Sequence, residues 1–347
     1  MRTVGYIRTD ELRSVRAPRC VDPGQSTNYA MFMPKPIPLS LPLPFHEGYL
    51  PVGGGHRLYF AQYGNPNAPA SLVLHGGPGS GCKLSMLDWF DLSQDQVVLF
   101  DQRGAGRSLP AGATDNNQTG DLIEDIERLR MRLQLSSFLL VGGSWGAMLA
   151  LCYAGRYPEA VHGLVMRGAF LATRMELDWF FQSLKALVPA AWERLTAGWN
   201  ILQKRNVLQT LTVMLQSVSS EEQQDAARRW GEYEEAVLQA MMGNGPVPVD
   251  FDPRWVGKYR VQAHYISNAC FTNTRSLFRC ARRTAAIPAI LLHGTHDWIC
   301  PPCNALRLTR CMPHADLRWI TRGTHTPSDP TVREALRKAI RDLRKTE

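Results

Sequence analysis

Phe138-Leu139-Leu140-Val141-Gly142-Gly143-Ser144-Trp145-Gly146-Ala147-Met148-Leu149 is the stretch on which the fold turns. Residues 138–141 form a continuous apolar run, as expected of a strand covered on both faces. Residues 147–157 carry a helical pattern. Between the two lies Gly-x-Ser-x-Gly, which puts a serine on the turn from strand to helix. Such a turn is tight enough that side chains at the glycine positions would clash. The spacing therefore predicts a nucleophile elbow. It holds Ser144 at the C-terminal edge of a sheet, ahead of a helix N-terminus that favours developing negative charge.

Working outward, short apolar runs recur at 71–74, 96–100, 163–166, 287–292 and 317–320. A strand at 58–63 precedes them and ends in the turn Gly64-Asn65-Pro66-Asn67. Within 121–133, Leu122, Ile126, Leu129 and Leu133 recur at helical spacing, and Glu124 and Arg128 are expected as an exposed i,i+4 pair. Strand–helix–strand alternation predicts an α/β fold with a mostly parallel central sheet and helices on both faces. Residues 173–280 break the rhythm: helical stretches at 176–187 and 221–241 are interrupted by no clear strand. They are read as an inserted helical cap. The expected organisation is an N-terminal extension with a Pro-rich arm at 1–45, a first core part at 46–172, the cap at 173–280 and a second core part at 281–347.

The chain has 347 residues, 44% hydrophobic and 20% charged, which is ample for a large core and excludes a disordered or collagenous protein. No apolar run is long enough to predict a transmembrane helix. The net charge of +8 is partly terminal. Arg333, Arg337, Arg341 and Arg344 are read as the solvated face of a last helix. Neither a basic stripe interleaved with aromatics nor an amphipathic anchor is found, so no nucleic-acid or membrane partner is expected. The eight cysteines are scattered, and the N-terminus lacks the apolar core of a signal peptide, so a cytoplasmic protein is expected. The sequence sets no oligomeric state.

A serine hydroxyl needs a base, and in this architecture the partners follow in the order Ser, Asp, His. Asp297 lies just past the run at 287–292, and His325 just past the run at 317–320. Both fall on loops at the sheet edge that carries Ser144. His325 is the candidate general base and Asp297 its orienting acid. His296 and His314 are rivals for the base, and Asp329 for the acid. His75-Gly76-Gly77-Pro78-Gly79 follows the run at 71–74, so the N–H groups of Gly77 and Trp145 are the candidate oxyanion donors. The bland reading of that loop is an ordinary Gly-Pro turn.

Three of these stretches resemble the proline iminopeptidase family of α/β-hydrolases: His75-Gly76-Gly77-Pro78-Gly79, Asp101-Gln102-Arg103-Gly104-Ala105-Gly106-Arg107-Ser108 and Gly142-Gly143-Ser144-Trp145-Gly146. Tyr157-Pro158-Glu159-Ala160-Val161, Arg167-Gly168-Ala169-Phe170-Leu171 and Asp297-Trp298-Ile299-Cys300-Pro301 match less closely. The resemblance implies removal of an N-terminal residue, typically proline, from a small peptide or aminoacyl substrate, with no cofactor and no metal. It implies that Glu234 binds the substrate amine and that Phe170 and Phe180 line an aromatic pocket. Two positions depart from the family. Gln262 stands where a second amine-binding carboxylate is expected, and Ile266 where an aromatic is expected.

These departures favour an alternative of the same fold, an esterase or amidase acting on a neutral acyl group. A non-catalytic binding protein would be expected to have lost the serine, the histidine or an oxyanion glycine, and this chain keeps all of them. A metal site among His293, His296, Cys300, Cys303 and Cys311 has one CxxC where a zinc ribbon needs two.

Overall fold

β-Branched and leucine-rich runs form the middle of an eight-stranded sheet in the computed structural model, which describes residues 42–344. The strands are β1 (His46–Gly53), β2 (His56–Gly64), β3 (Ala70–Leu74), β4 (Gln96–Phe100), β5 (Phe138–Gly143), β6 (Val161–Arg167), β7 (Ala289–Gly294) and β8 (Asp316–Ile320). Their order is β1-β2-β4-β3-β5-β6-β7-β8. From β4 to β8 every pair is parallel, while β1 and β2 run antiparallel at one edge. Parallel strands need crossover helices, which bury both sheet faces.

The crossovers and the last helix are α1 (Thr119–Arg132), α2 (Trp145–Arg156) and, at the C-terminal end, α11 (Pro330–Arg344). Between β6 and β7 come α3 (Arg174–Asp178), α4 (Pro189–Leu195), α5 (Ile201–Arg205), α6 (Val207–Leu215), α7 (Ser220–Met241), α8 (Arg254–Ser267) and α9 (Thr274–Arg283). The short α10 (Cys303–Thr309) follows β7. One face of the sheet packs on α1, α2 and α9 through Leu140, Ile126, Met148, Leu151, Leu277 and Ala281. The other face packs on α11 through Val165, Ile290, Leu336 and Ile340. Each such aliphatic side chain stabilises the fold by roughly 1.5–3 kcal/mol when fully buried. The inserted helical subdomain has its own aromatic core, with Trp230, Tyr233 and Tyr259 all at 1% exposure or less. Ring pairs knit it: Phe181 meets Trp230 edge-on, and Trp230 stacks on Tyr259.

Four sequence expectations change. Strand β1 is absent from the reading because Gly48, Pro51 and Gly53 dilute its pattern; as an edge strand it buries only Leu50 and Val52. The helix expected over 176–187 is instead α3, followed by a wider π turn at Trp179–Ser183 and a 3-10 turn at Leu184–Ala186. Glu124 and Arg128 do not pair: Glu124 accepts from the Tyr157 hydroxyl, and Arg128 bonds Asp125 and the Val52 carbonyl. Arg344 is no free solvated residue, since it donates to Asp95 Oδ1 at 2.8 Å. The N-terminal extension expected at 1–45 lies outside the described residues up to Leu41. Among the described residues no helix is long and apolar enough to cross a membrane.

Candidate active site

Strand β5 delivers Ser144 to the sheet edge in a backbone conformation that an L residue rarely adopts, φ 57° and ψ −121°. Such a residue costs on the order of 1–3 kcal/mol and persists only where its surroundings hold it. The Ser144 N–H donates to the Arg167 carbonyl at 2.8 Å, and its own carbonyl accepts from Ala147 and Met148 as α2 begins. Two glycines make the turn possible. A Cβ at Gly142 would lie 2.4 Å from the Gly146 carbonyl oxygen, and one at Gly146 would lie 2.1 Å from that of Leu74.

Asp297 follows β7 and His325 follows β8. The two are joined: His325 Nδ1 lies 2.8 Å from Asp297 Oδ2. Asp297 Oδ1 accepts from the N–H groups of Ile299 and Cys300 at 3.0 and 2.8 Å. Burial would raise the Asp297 carboxyl, but the His325 and His293 imidazoles and these hydrogen bonds hold it below the ordinary carboxylate range. An ionised Asp297 fixes the proton on Nδ1 of His325 and leaves Nε2 as the basic nitrogen. His325 is itself 8% exposed and borders the same cavity as Ser144.

The rivals take other places. His296 is exposed, and among the described residues its ring meets the Thr295 hydroxyl through Nδ1. Asp329 accepts from Thr324 and Thr331, so it braces the loop beside His325 rather than the imidazole itself. His293 is fully buried in β7; its Nδ1 accepts from the Ala169 N–H, so its Nε2 donates to the Cys300 carbonyl at 2.9 Å. Burial pushes this imidazole down, toward the neutral form. With both nitrogens used, it has no lone pair to give the cysteines near it. Among the described residues no three His, Cys, Asp or Glu side chains are grouped to hold a metal ion.

The serine is brought to the cavity but not onto the base. Ser144 Oγ lies 3.8 Å from Cys300 Sγ, and among the described residues it makes no direct hydrogen bond to His325. Gly76 and Gly77 line the cavity beside it. Among the hydrogen bonds of the described residues, the N–H groups of Gly77 and Trp145 donate to no protein acceptor.

Sequence reading missed the groups that hold these parts together. The Gln102 N–H donates to His75 Nε2 at 3.0 Å, and its side-chain amide donates to the His75 carbonyl. Trp145 Nε1 donates to Gln102 Oε1 at 2.8 Å. Gln102 thus ties the Gly76–Gly77 loop to the elbow. Arg167 does the same for the Ser144 turn and the His325 loop. Its carbonyl takes the Ser144 N–H and its guanidinium donates to the His325 carbonyl. The motifs containing Gln102 and Arg167 were visible, but these partners lie on other loops.

The cavity is about 260 Å³ and is roofed by the helical insert. Phe170 and Phe180 line it, as do Ile266, Gln262, Glu234 and Lys258. Phe180 is edge-on to Phe181 and Tyr233. Glu234 is already engaged. Its Oε2 accepts from Lys258 Nζ at 2.9 Å and from the Tyr259 hydroxyl at 2.8 Å, and its Oε1 accepts from Gln262 Nε2 at 2.7 Å. Burial would raise its carboxyl, but the Lys258 ammonium and these hydrogen bonds hold it below the ordinary range. Among the described residues Gln262 Oε1 and Trp230 Nε1 are buried without a hydrogen-bond partner. Lys258 was not read as a site residue, since its partner is 24 positions away on another helix.

The fold and the elbow define an α/β-hydrolase, and the chain matches the alpha/beta hydrolase fold family model over residues 69–321. A proline iminopeptidase of Xylella fastidiosa is 38% identical over 296 residues, covering 84% of this chain and 95% of that protein. One of Xanthomonas citri is 36% identical over 299 residues, covering 85% and 96%. A solved structure of a proline iminopeptidase from Mycobacterium smegmatis shares the fold at 17% identity and a TM-score of 0.53, covering 87% of this chain and 99% of that one. The chain belongs to the proline iminopeptidase family, and it is an enzyme of the serine-hydrolase class.

Proposed function

We propose that the protein is a serine aminopeptidase that releases a small N-terminal residue, proline foremost, from peptides through an acyl-enzyme. Ser144 attacks the carbonyl carbon while His325 Nε2 takes its proton. For this, the hydroxyl turns about its Cα–Cβ bond from Cys300 toward the imidazole, a movement common between resting and substrate-bound sites. The N–H groups of Gly77 and Trp145 hold the oxyanion. The amide C–N bond breaks as His325 returns the proton to the leaving amine. Water then attacks the ester carbonyl, gives its proton to His325, and Ser144 leaves as the free hydroxyl. Glu234, helped by Gln262, holds the substrate amine, and Phe170 and Phe180 hold its ring.

The observation that carries this reading is the convergence of Ser144, the His325–Asp297 pair and Glu234 on one roofed cavity. The test is turnover of a prolyl amide by wild type and Ser144→Ala. Wild type is expected to release proline, and the variant to lose at least ~10³-fold in kcat. Retained turnover in the variant contradicts the mechanism. A second reading, an esterase or amidase for neutral acyl groups, is favoured by the Lys258–Glu234 ion pair. It predicts cleavage of a short acyl ester and none of the prolyl amide. A peptide or aminoacyl substrate without nucleic-acid partner or cofactor belongs to the first reading. So does a cytoplasmic location, which rests on the scattered cysteines.

A further inference from the structure

An ammonium bound to a carboxylate is a seat that a second ammonium cannot share. In this cavity the seat on Glu234 is taken by the protein's own Lys258, at 2.9 Å. Lys258 Nζ also meets the Tyr259 hydroxyl at 2.9 Å and lies 4.2 Å from the centre of that ring. The neighbour one turn on is the neutral Gln262. Glu234, Lys258 and Gln262 together carry no net charge, so an incoming ammonium meets no surplus negative charge among these three; Glu176, which also lines the cavity, has its oxygens engaged by Leu171, Thr173 and Asn304. The incoming ammonium has first to displace a cation already paired. The stem of Lys258 is not free to leave with its helix. A Cβ at Gly79 would lie 2.5 Å from the Lys258 carbonyl oxygen, so α8 rests hard on the Gly77–Gly79 loop. Its side chain is nonetheless 25% exposed.

We propose that Lys258 is a specificity-determining residue: its ammonium competes with the substrate's amine for Glu234 and weakens recognition of a free N-terminus. The inference rests on the assignment of Glu234 as the amine seat. The competition acts on binding of the cationic group and leaves the bond-breaking residues untouched. A ligand of the same shape without the positive charge does not feel it.

Calorimetric titration of the full-length protein tests this, with Lys258 and each of its variants compared in a Ser144→Ala background so that L-prolinamide, itself a prolyl amide, binds without being cleaved. L-prolinamide is the cationic ligand, and cyclopentanecarboxamide, with a carbocycle of the same size in place of the pyrrolidinium ring, its neutral counterpart. Lys258→Met keeps the stem and removes the charge, Lys258→Gln is a second neutral variant, and Lys258→Arg keeps the charge. L-prolinamide is expected to bind Lys258→Met and Lys258→Gln at least ~tenfold more tightly than the protein that keeps Lys258. Lys258→Arg is expected to match the protein that keeps Lys258, and cyclopentanecarboxamide to shift by less than about threefold in every variant. Unchanged or weaker prolinamide binding in both neutral variants overturns the proposal. So does an equal gain for both ligands, or no detectable prolinamide binding by any of the proteins. Prolyl amide turnover by wild type is measured beside it. If that turnover is absent while the charge-selective gain appears, the peptidase reading fails and the role of Lys258 stands.

Discussion

Gln262 is neutral where the family resemblance implies a second carboxylate, and the effect of that charge can be measured by introducing it. Gln262→Glu places a second carboxylate beside Glu234, which leaves one negative charge over after Lys258 is paired. Charge-assisted hydrogen bonds contribute about 1.5–3 kcal/mol, so kcat/KM for a prolyl amide is expected to rise by tenfold or more, chiefly through KM. Steady-state kinetics at neutral pH check this, and a lower or unchanged kcat/KM counts against Glu234 as the amine seat. Gln102 has a different role, since it lies behind the cavity rather than among the residues that line it. Its amide spans His75 and Trp145, and Gln102→Leu frees from each other the two loops proposed to hold the oxyanion. The expected result is a fall of about tenfold or more in kcat with KM nearly unchanged, because donors aimed at the oxyanion act in the transition state. A change in KM alone contradicts that placement.

At the scale of elements, the junction of β5 and α2 is where sequence dictates geometry most tightly. Gly146→Ala would drive a Cβ into the Leu74 carbonyl, backbone that cannot step aside. A variant that melts several degrees lower and loses activity is expected, and one with wild-type melting and turnover contradicts the packing described. The elbow was legible because its strand, turn and helix are consecutive. The inner strands were legible because both faces are buried, leaving runs such as Phe138-Leu139-Leu140-Val141 unbroken. Strand β1 was not, since one face meets water and glycine and proline thin out the other. The segment after α3 was misread as a regular helix. Trp179, Phe180 and Phe181 each reach a different partner, namely the Trp298 carbonyl, Tyr233 and Trp230. The wider turn lets three consecutive aromatics do so. The joining of His325 to Asp297 was legible from their place after β8 and β7. Lys258 was not, because pairing between α7 and α8 is set by tertiary packing that no local pattern encodes.

For the whole molecule, buried imidazoles set how stability responds to acid. Burial lowers the affinity of His75 and His293 for protons, and both sit within the packed sheet edge. Each takes up its proton more readily when unfolded, near pH 6.5, than when folded. Their stabilising share is therefore full above about pH 6.5 and is lost as pH falls below it, by up to about 1.4 kcal/mol per pH unit for each group. Asp297 and Glu234, held low by their partners, keep their charge through this window and give way only below the ordinary carboxylate range. Urea midpoints are expected to drop between pH 7 and pH 5, and a flat profile contradicts neutral burial of these histidines.

The proposed hydrolysis rests on one covalent event, an acyl group on the Ser144 hydroxyl, with the Cys300 thiol 3.8 Å away as the neighbouring nucleophile. Burial pushes that thiol well up, which leaves it protonated and unreactive. The direct measurement is peptide mapping by mass spectrometry after treatment with a fluorophosphonate, on wild type, Ser144→Ala and Cys300→Ala. The predicted result is one stoichiometric phosphonyl adduct on the peptide containing Ser144 in wild type and in Cys300→Ala, and none in Ser144→Ala. An unlabelled folded wild type, or an adduct that persists in Ser144→Ala, would contradict the account.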